Sequence, residues 1–142
     1  MKKLLIPSIF FVLLISFSFA QKPYKVVFYN LENFFDTIND PEVLDDEFTP
    51  DGPKKWNTAK YNKKLNNTER VLFDIAAIDK NYPIVIGVSE VETRGVLEDI
   101  VATPKLAPAN YRIAHFDSPE ARGVDVAFLY RPDVFKIEGQ YP

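Results

Sequence analysis

Residues 84–91 read Ile-Val-Ile-Gly-Val-Ser-Glu-Val, an apolar run that leads directly into a carboxylate. A run that is apolar at every position from Ile84 to Val88 is typical of a strand covered on both faces of a sheet. Ligands of open sheets with helices on their faces collect outside the carboxyl ends of the strands. Glu90 is therefore a candidate for holding a hard cation through its oxygens, and the alternative is a solvated loop acid.

The rest of the chain alternates between strand and helix patterns. The β-branched and aromatic run Lys25 to Tyr29 predicts the first strand, and residues 36–55, rich in Asp, Pro, Thr and Gly, predict a long loop. Apolar residues at near-helical spacing predict a helix that is capped by Thr58 and ends at about Asp79. The remaining predicted elements are a helix at Gly95 to Ala102 and strands at Tyr111 to Phe116, Val124 to Tyr130 and Phe135 to Ile137, an order that indicates an α/β or α+β fold.

Polar residues follow both of the predicted core strands. Asn30 ends the first strand as Glu90 ends the other, so strands that share a direction would bring the two side chains to one edge of the sheet. Glu32 and Glu92 are candidates for the same edge, one pleat further out. Glu92 joins Glu90 on one side only if regular strand geometry continues through both residues.

The first twenty residues have the three parts of an export signal. Lys2 and Lys3 precede an apolar stretch from Leu4 to Phe19, and small residues at Ser18 and Ala20 fit cleavage before residue 21. We therefore expect a signal peptide at residues 1–20, export to the periplasm or secretion, and no membrane span after cleavage. The alternative is an uncleaved anchor.

Composition narrows the chemistry. The chain has no cysteine, which excludes thiolate zinc sites and thiol nucleophiles. Loss of the two leader lysines leaves 15 of the 17 basic residues against 20 acidic ones, a net charge near −5. A nucleic-acid substrate then requires divalent cations or local Arg and Lys to screen the repulsion. Basic and aromatic residues cluster only at Lys54 to Trp56 and Lys60 to Lys64, which we interpret as the solvated approach to a helix.

Three motifs in order resemble the endonuclease/exonuclease/phosphatase family, the fold of deoxyribonuclease I and the exonuclease III-like repair nucleases. They are Tyr29-Asn30 at a strand end, Ile84 to Val91, and Arg-Gly-Val-Asp-Val-Ala-Phe-Leu-Tyr-Arg-Pro from Arg122 to Pro132. The resemblance spans Lys25 to about Ile137 and implies a four-layer α/β/β/α sandwich of mixed sheets. Because complete relatives are longer, we expect residues 21–142 to be the N-terminal half of this domain, with a complementary C-terminal half as a candidate partner.

The resemblance also implies roles for four residues. Glu90 matches the glutamate that binds the divalent metal, usually magnesium, and Asn30 matches the asparagine that orients phosphate and metal. Glu32 stands where relatives often carry an acid and is a second candidate metal ligand. Arg122 lies where relatives often place a basic or aromatic residue facing substrate. A guanidinium suits a phosphate, and the alternative is a surface turn residue.

Other parts of the family's mechanism have no match in this sequence. As the resemblance implies, water attacks a phosphodiester with the help of a histidine paired with an acid and of an Asp-x-Asn segment. His115 is the single histidine, and we interpret it as a strand residue with a satisfied hydrogen bond or as a rim residue beside Asp117. Asp125 lies inside an apolar strand, where a buried carboxylate needs a partner, and Arg122 and Arg131 are the candidates.

These observations predict a metal-dependent, nuclease-like phosphodiester hydrolase that is incomplete as given and weakly active or inactive alone. Its substrate is a nucleic acid or another phosphorylated ligand. Two alternatives stay open. One is an exported module that binds a phosphorylated ligand or a partner protein through the same edge without catalysis, and the other is an exported α/β domain whose motif match is accidental.

Overall fold

The computed structural model describes residues 23–139 and residue 141, so the predicted signal peptide lies outside the described residues. Within them the chain forms strands and helices in the order β1 (Val26–Phe34), α1 (Thr58–Ala77), β2 (Val85–Val91), α2 (Arg94–Ala102), β3 (Arg112–His115) and β4 (Asp125–Tyr130). Single turns of 3₁₀ helix at Asp46–Phe48 and Ala107–Ala109 lie in the connections.

The strands form a mixed sheet in the order β1-β2-β4-β3. β1 and β2 run parallel, and β4 is antiparallel to both β2 and β3. The predicted α/β fold is therefore confirmed, and β2, the apolar run of residues 84–91, is a central strand. Because β1 and β2 share a direction, their carboxyl ends meet at one end of the sheet, beside the amino end of β4.

Both helices pack on the same face of the sheet. α1 begins after Asn57, whose side-chain oxygen accepts a hydrogen bond from the Lys60 backbone N–H at 3.2 Å, so the predicted cap at Thr58 is one residue late. The helices and the sheet share one apolar core, since Leu72 of α1 and Leu97 of α2 join the strand residues in it. Its fully buried members include Phe34, Leu72, Ile86, Val88, Val91, Leu97, Ile100 and Leu129.

The other face of the sheet carries exposed apolar side chains. Val26, Phe28, Val126 and Phe128 are each more than half exposed, at 68%, 67%, 62% and 51%. The second sheet of the expected sandwich would cover such a face, but the described residues form a single sheet, so the four-layer arrangement stays a prediction. Among these residues no helix has the length and apolar composition needed to cross a membrane.

Element boundaries differ from the sequence prediction in two informative places. β2 continues beyond Val88 to Val91, so Glu90 lies within the strand rather than after it. The predicted strand at Phe135 to Ile137 is wrong, because these residues have no strand partner in the described chain. Phe135 instead closes a turn through its N–H, which donates to the Arg131 carbonyl at 2.8 Å.

Candidate functional site

The carboxyl ends of β1 and β2 bring the predicted site residues together. Asn30 pairs with Ser89 across the parallel strands. Its Nδ2 donates to Glu90 Oε1 at 3.1 Å, and its Oδ1 accepts from the backbone N–H of Glu32 at 2.8 Å. A single amide therefore links Asn30, Glu32 and Glu90, which we call the carboxylate rim.

The backbone of this rim is strained. Glu32, Asn33 and Glu90 have φ angles of 55°, 60° and 59°, and β1 and β2 both lose their regular register at these positions. Left-handed backbone is unfavourable for residues with a Cβ and persists where the surrounding structure enforces it, which is common at functional sites. The break at Glu90 also ends the period-two alternation, so Glu90 and Glu92 need not face the same way.

The rim offers carboxylate oxygens at an open edge. Glu90 is half-buried, whereas Glu32 and Asn30 are exposed. Asn30 holds one Glu90 oxygen, and the described residues give the other oxygen no hydrogen-bond donor. Hard divalent cations prefer oxygen ligands, and Mg²⁺ usually combines one or two carboxylates with several waters. The donor set therefore fits such a cation, with Glu90 and Glu32 as the residues that would hold it.

Two cationic side chains lie beside the rim. Arg122 Nη1 donates to the Asn33 side-chain oxygen at 3.0 Å, and its Nε donates to Glu120 Oε1 at 3.0 Å. Lys64 Nζ donates to the Glu32 carbonyl at 2.6 Å. Burial holds the pKa of the Lys64 ammonium below its ordinary value, although the nearby Glu32 and Glu90 carboxylates oppose the shift. An anion that approaches the rim therefore meets a guanidinium and an ammonium.

Glu92 was predicted to lie at the rim, and this prediction is wrong. Its side chain is buried under the loop of residues 36–55, where Oε2 accepts the Asp36 N–H at 2.6 Å. Burial raises the pKa of Glu92 to about 8, and the negative charges of Asp36 and Asp45 add to the increase, whereas the Asp36 N–H opposes it. Glu92 therefore attaches the loop to the end of β2 rather than facing a ligand.

The predicted arginine partners of Asp125 are wrong. His115 Nε2 lies 3.0 Å from Asp125 Oδ2, and the Ser118 N–H donates to Asp125 Oδ1 at 2.7 Å. The antiparallel pairing of β3 with β4 brings the two side chains together, and they are only 4% and 3% exposed. The interpretation of His115 as a strand residue with a satisfied hydrogen bond agrees with this geometry. The pair holds the start of the turn that carries Arg122.

His115, Asp117 and Asp125 also form a group whose potential metal-ligating atoms lie within 4.8 Å of one another. Both Asp125 oxygens already accept hydrogen bonds, from His115 and from Ser118, and the two side chains are 4% and 3% exposed, so a metal would have to enter a closed pair. A buried and satisfied pair costs more to open than the exposed rim does. The carboxylates of the exposed rim are therefore more accessible to a cation than the Asp125 carboxylate is.

A model of the endonuclease/exonuclease/phosphatase family matches residues 25–141. The chain belongs to this family. The match indicates a hydrolase of the nuclease or phosphatase type, which acts on phosphodiesters and uses a divalent metal. No curated protein and no solved structure matches the chain in the other two comparisons.

Sequence reasoning missed Lys64 as a neighbour of the rim. The amine reaches the Glu32 and Asn33 carbonyls from α1, which precedes β2 in the chain and packs against the end of β1. The only signal in the sequence is the run of lysines at Lys60, Lys63 and Lys64, whose three- and four-residue spacing places them on one face of a helix. Spacing alone does not say whether that face meets water or a binding site.

Proposed function

We propose that this protein is an exported, magnesium-dependent phosphodiester hydrolase of the nuclease kind. The observation that supports this function best is the hydrogen bond between the Asn30 amide and the Glu90 carboxylate at 3.1 Å, on two parallel strands whose carboxyl ends meet. Family membership supports the reaction class, and the apolar leader at residues 1–20 supports export.

The proposed roles follow from position and charge. Glu90 and Glu32 hold the cation, and Asn30 fixes the orientation of Glu90 through its side-chain amide. When bound, magnesium stabilises the negative charge that develops on the phosphoryl oxygens during hydrolysis. Arg122 binds a phosphate oxygen, for which it must exchange at least one of its exposed contacts with Glu120 and Asn33.

A second candidate function is binding without turnover. The single histidine of the chain is buried against Asp125, with a side chain that is 4% exposed, so it has no access to a substrate at the rim. The oxygen ligands of the rim and the cations Arg122 and Lys64 beside it bind and orient a phosphate but supply no histidine general base. Magnesium-dependent binding of a phosphodiester without hydrolysis would favour this alternative.

The experiment that tests the proposed function is a calorimetric titration of the purified chain with Mg²⁺. We expect Glu90→Gln to weaken magnesium binding at least about tenfold, because the substitution removes the charge of a ligand without changing its size. Glu98→Gln is the matched control, since Glu98 is an exposed acid on α2 that pairs with Arg94. Equal magnesium affinity of Glu90→Gln and the unmodified chain would remove Glu90 from the site.

Hydrolysis of bis(4-nitrophenyl) phosphate, measured on the same proteins with and without Mg²⁺, separates the two candidate functions. Turnover that depends on magnesium and is lost in Glu90→Gln supports the hydrolase. Magnesium binding that is lost in the variant while the unmodified chain shows no turnover supports the binding module.

A further inference from the structure

A pocket of about 430 Å³ lies beside the carboxylate rim, between the end of β1 and the first half of α1. Lys60, Lys63 and Lys64 line it on the helix side, and Trp56 and the rim residue Glu32 also belong to the lining. We call it the lysine pocket. Glu32 belongs to both the pocket and the rim, so a ligand that reaches one is adjacent to the other.

The spacing of the lining residues explains why three lysines reach one pocket. Lys60, Lys63 and Lys64 stand at positions i, i+3 and i+4 of α1, and Asn67 and Thr68, also in the lining, continue the same stripe at i+7 and i+8. Stripes with this spacing are usually apolar and face a core. Here the stripe is basic and polar and faces a cavity.

The lysines of the pocket lack carboxylate partners in the described structure. Lys60 Nζ donates to the Lys54 carbonyl and Lys64 Nζ to the carbonyls of Glu32 and Asn33, so backbone oxygens rather than acids hold two of the three ammonium groups. Lys63 is exposed and forms no hydrogen bond or ion pair with any described residue. Three positive charges therefore face one lining acid in a chain whose net charge is −3.

The contacts of Lys64 argue against a merely solvated helix face. Its ammonium lies 5.4 Å from the ring centre of Phe34 and 5.7 Å from that of Trp56, which places the charge over aromatic surface instead of in water. A desolvated ammonium beside two further lysines attracts an anion more strongly than freely hydrated lysines do. A substrate whose first phosphate is bound at the neighbouring rim would supply such an anion as a phosphate oxygen.

We propose that the lysine pocket binds a second phosphate group, which flanks the phosphate held at the carboxylate rim. The inference rests on the proposed function, because it takes the rim as the site of the first phosphate. The preferred substrate then carries at least two closely spaced phosphates, as a nucleic-acid strand or a polyphosphorylated small molecule does. A phosphodiester with a single phosphate occupies the rim alone.

Fluorescence anisotropy with a fluorescein-labelled strand of ten thymidines tests this inference on the full chain. We expect the double variant Lys60→Gln/Lys63→Gln to bind about tenfold more weakly at 0.1 M salt. Each lysine–phosphate contact favours binding by releasing counterions from the strand, and the variant loses two such contacts. The slope of log affinity against log salt should fall by about 0.7 for each lysine. Lys105→Gln is the matched control, since Lys105 is exposed and lies over the Phe73 ring, away from the pocket.

Competition identifies the source of the second phosphate. Displacement of the labelled strand by inositol hexakisphosphate, but not by bis(4-nitrophenyl) phosphate, supports a pocket that also accepts small polyphosphates. Displacement by unlabelled strand alone supports a nucleic-acid substrate. Unchanged affinity and salt dependence in the double variant would overturn the inference.

The lysine and glutamate variants fail independently. If Lys60→Gln/Lys63→Gln binds the strand as the unmodified chain does while Glu90→Gln still loses magnesium, the lysine pocket is wrong and the proposed function stands. If the double variant loses the strand while Glu90→Gln keeps magnesium, the pocket binds phosphate but the cation site is wrong. The second result would overturn the rim as the location of the first phosphate.

Discussion

Replacing Asp125 by alanine is expected to lower the free energy of unfolding by about 3–5 kcal/mol. The carboxylate is 3% exposed at its side chain and accepts from both His115 and the Ser118 N–H. Its removal leaves the buried His115 ring without a partner and takes the acceptor from the part-buried Ser118 N–H, and each unsatisfied buried group costs about 1–3 kcal/mol. Urea unfolding followed by circular dichroism measures the change.

Two controls identify the cause of this loss. Asp125→Asn keeps an acceptor for the Ser118 N–H and should cost clearly less than the alanine variant. Asp133→Ala removes an exposed partner of Arg131 and should cost less than about 1 kcal/mol. A loss below 1 kcal/mol in Asp125→Ala itself would show that the His115–Asp125 pair does not stabilise the sheet edge.

Glu92→Gln should raise stability at alkaline pH by about 1–3 kcal/mol and leave it nearly unchanged at pH 4. The pKa of Glu92 is about 8 in the folded chain, against 4.5 for the free group, so the folded state binds the extra proton between these values. Stability from this group is therefore complete below pH 4.5 and is lost as the pH rises through 8. Loop opening and water entry keep the cost of ionisation below the value that the full shift implies.

Glutamine keeps the contacts of the protonated acid without its ionisation. Its oxygen accepts the Asp36 N–H, and its amide donates toward Asp45, which lies beside Glu92. Thermal unfolding in EDTA at pH 5 and pH 9 measures the difference, with Glu42→Gln, an exposed acid of the same loop, as the control. If Glu92→Gln is destabilised equally at both pH values, Glu92 is not buried as an acid.

Much of the rim was predictable because strand ends follow simple rules. The run that is apolar at every position predicted that β2 is covered on both faces of the sheet. The polar residues at the ends of two predicted strands identified Asn30 and Glu90 as candidate site residues. Parallel pairing then brought both side chains to the same edge. These steps depend on local sequence and on the condition that the two neighbouring strands share a direction, which the parallel pairing fulfils.

The partners of the buried acids were not predictable in the same way. His115 meets Asp125 because β3 pairs antiparallel with β4 in one particular register, with His115 opposite Ala127. Neither the pairing nor the register follows from alternation in two short strands. The prediction for Glu92 was wrong because the irregularity at Glu90 ends the period-two pattern. Glu90 has a positive φ, and the sequence does not indicate this conformation because the residue is not glycine.

The contacts of the loop of residues 36–55 also could not be predicted from the sequence. Its composition predicts a loop but not the contacts that hold it. Trp56 Nε1 donates to the Phe35 carbonyl at 3.0 Å, and the Phe35 and Phe48 rings stack at 4.0 Å. Trp56 also lines the lysine pocket, whose basic stripe on α1 was interpreted as a solvated surface because spacing alone does not reveal a cavity.

Paramagnetic broadening by Mn²⁺ tests whether the carboxylate rim holds a divalent cation, as proposed above. In ¹⁵N-labelled protein, substoichiometric Mn²⁺ should broaden the amide signals of residues 30–33 and 89–91 first, and Glu90→Gln should abolish this effect. Broadening that begins at Ser118 and Asp125 would instead locate the cation at the His115, Asp117 and Asp125 group and contradict the proposed site.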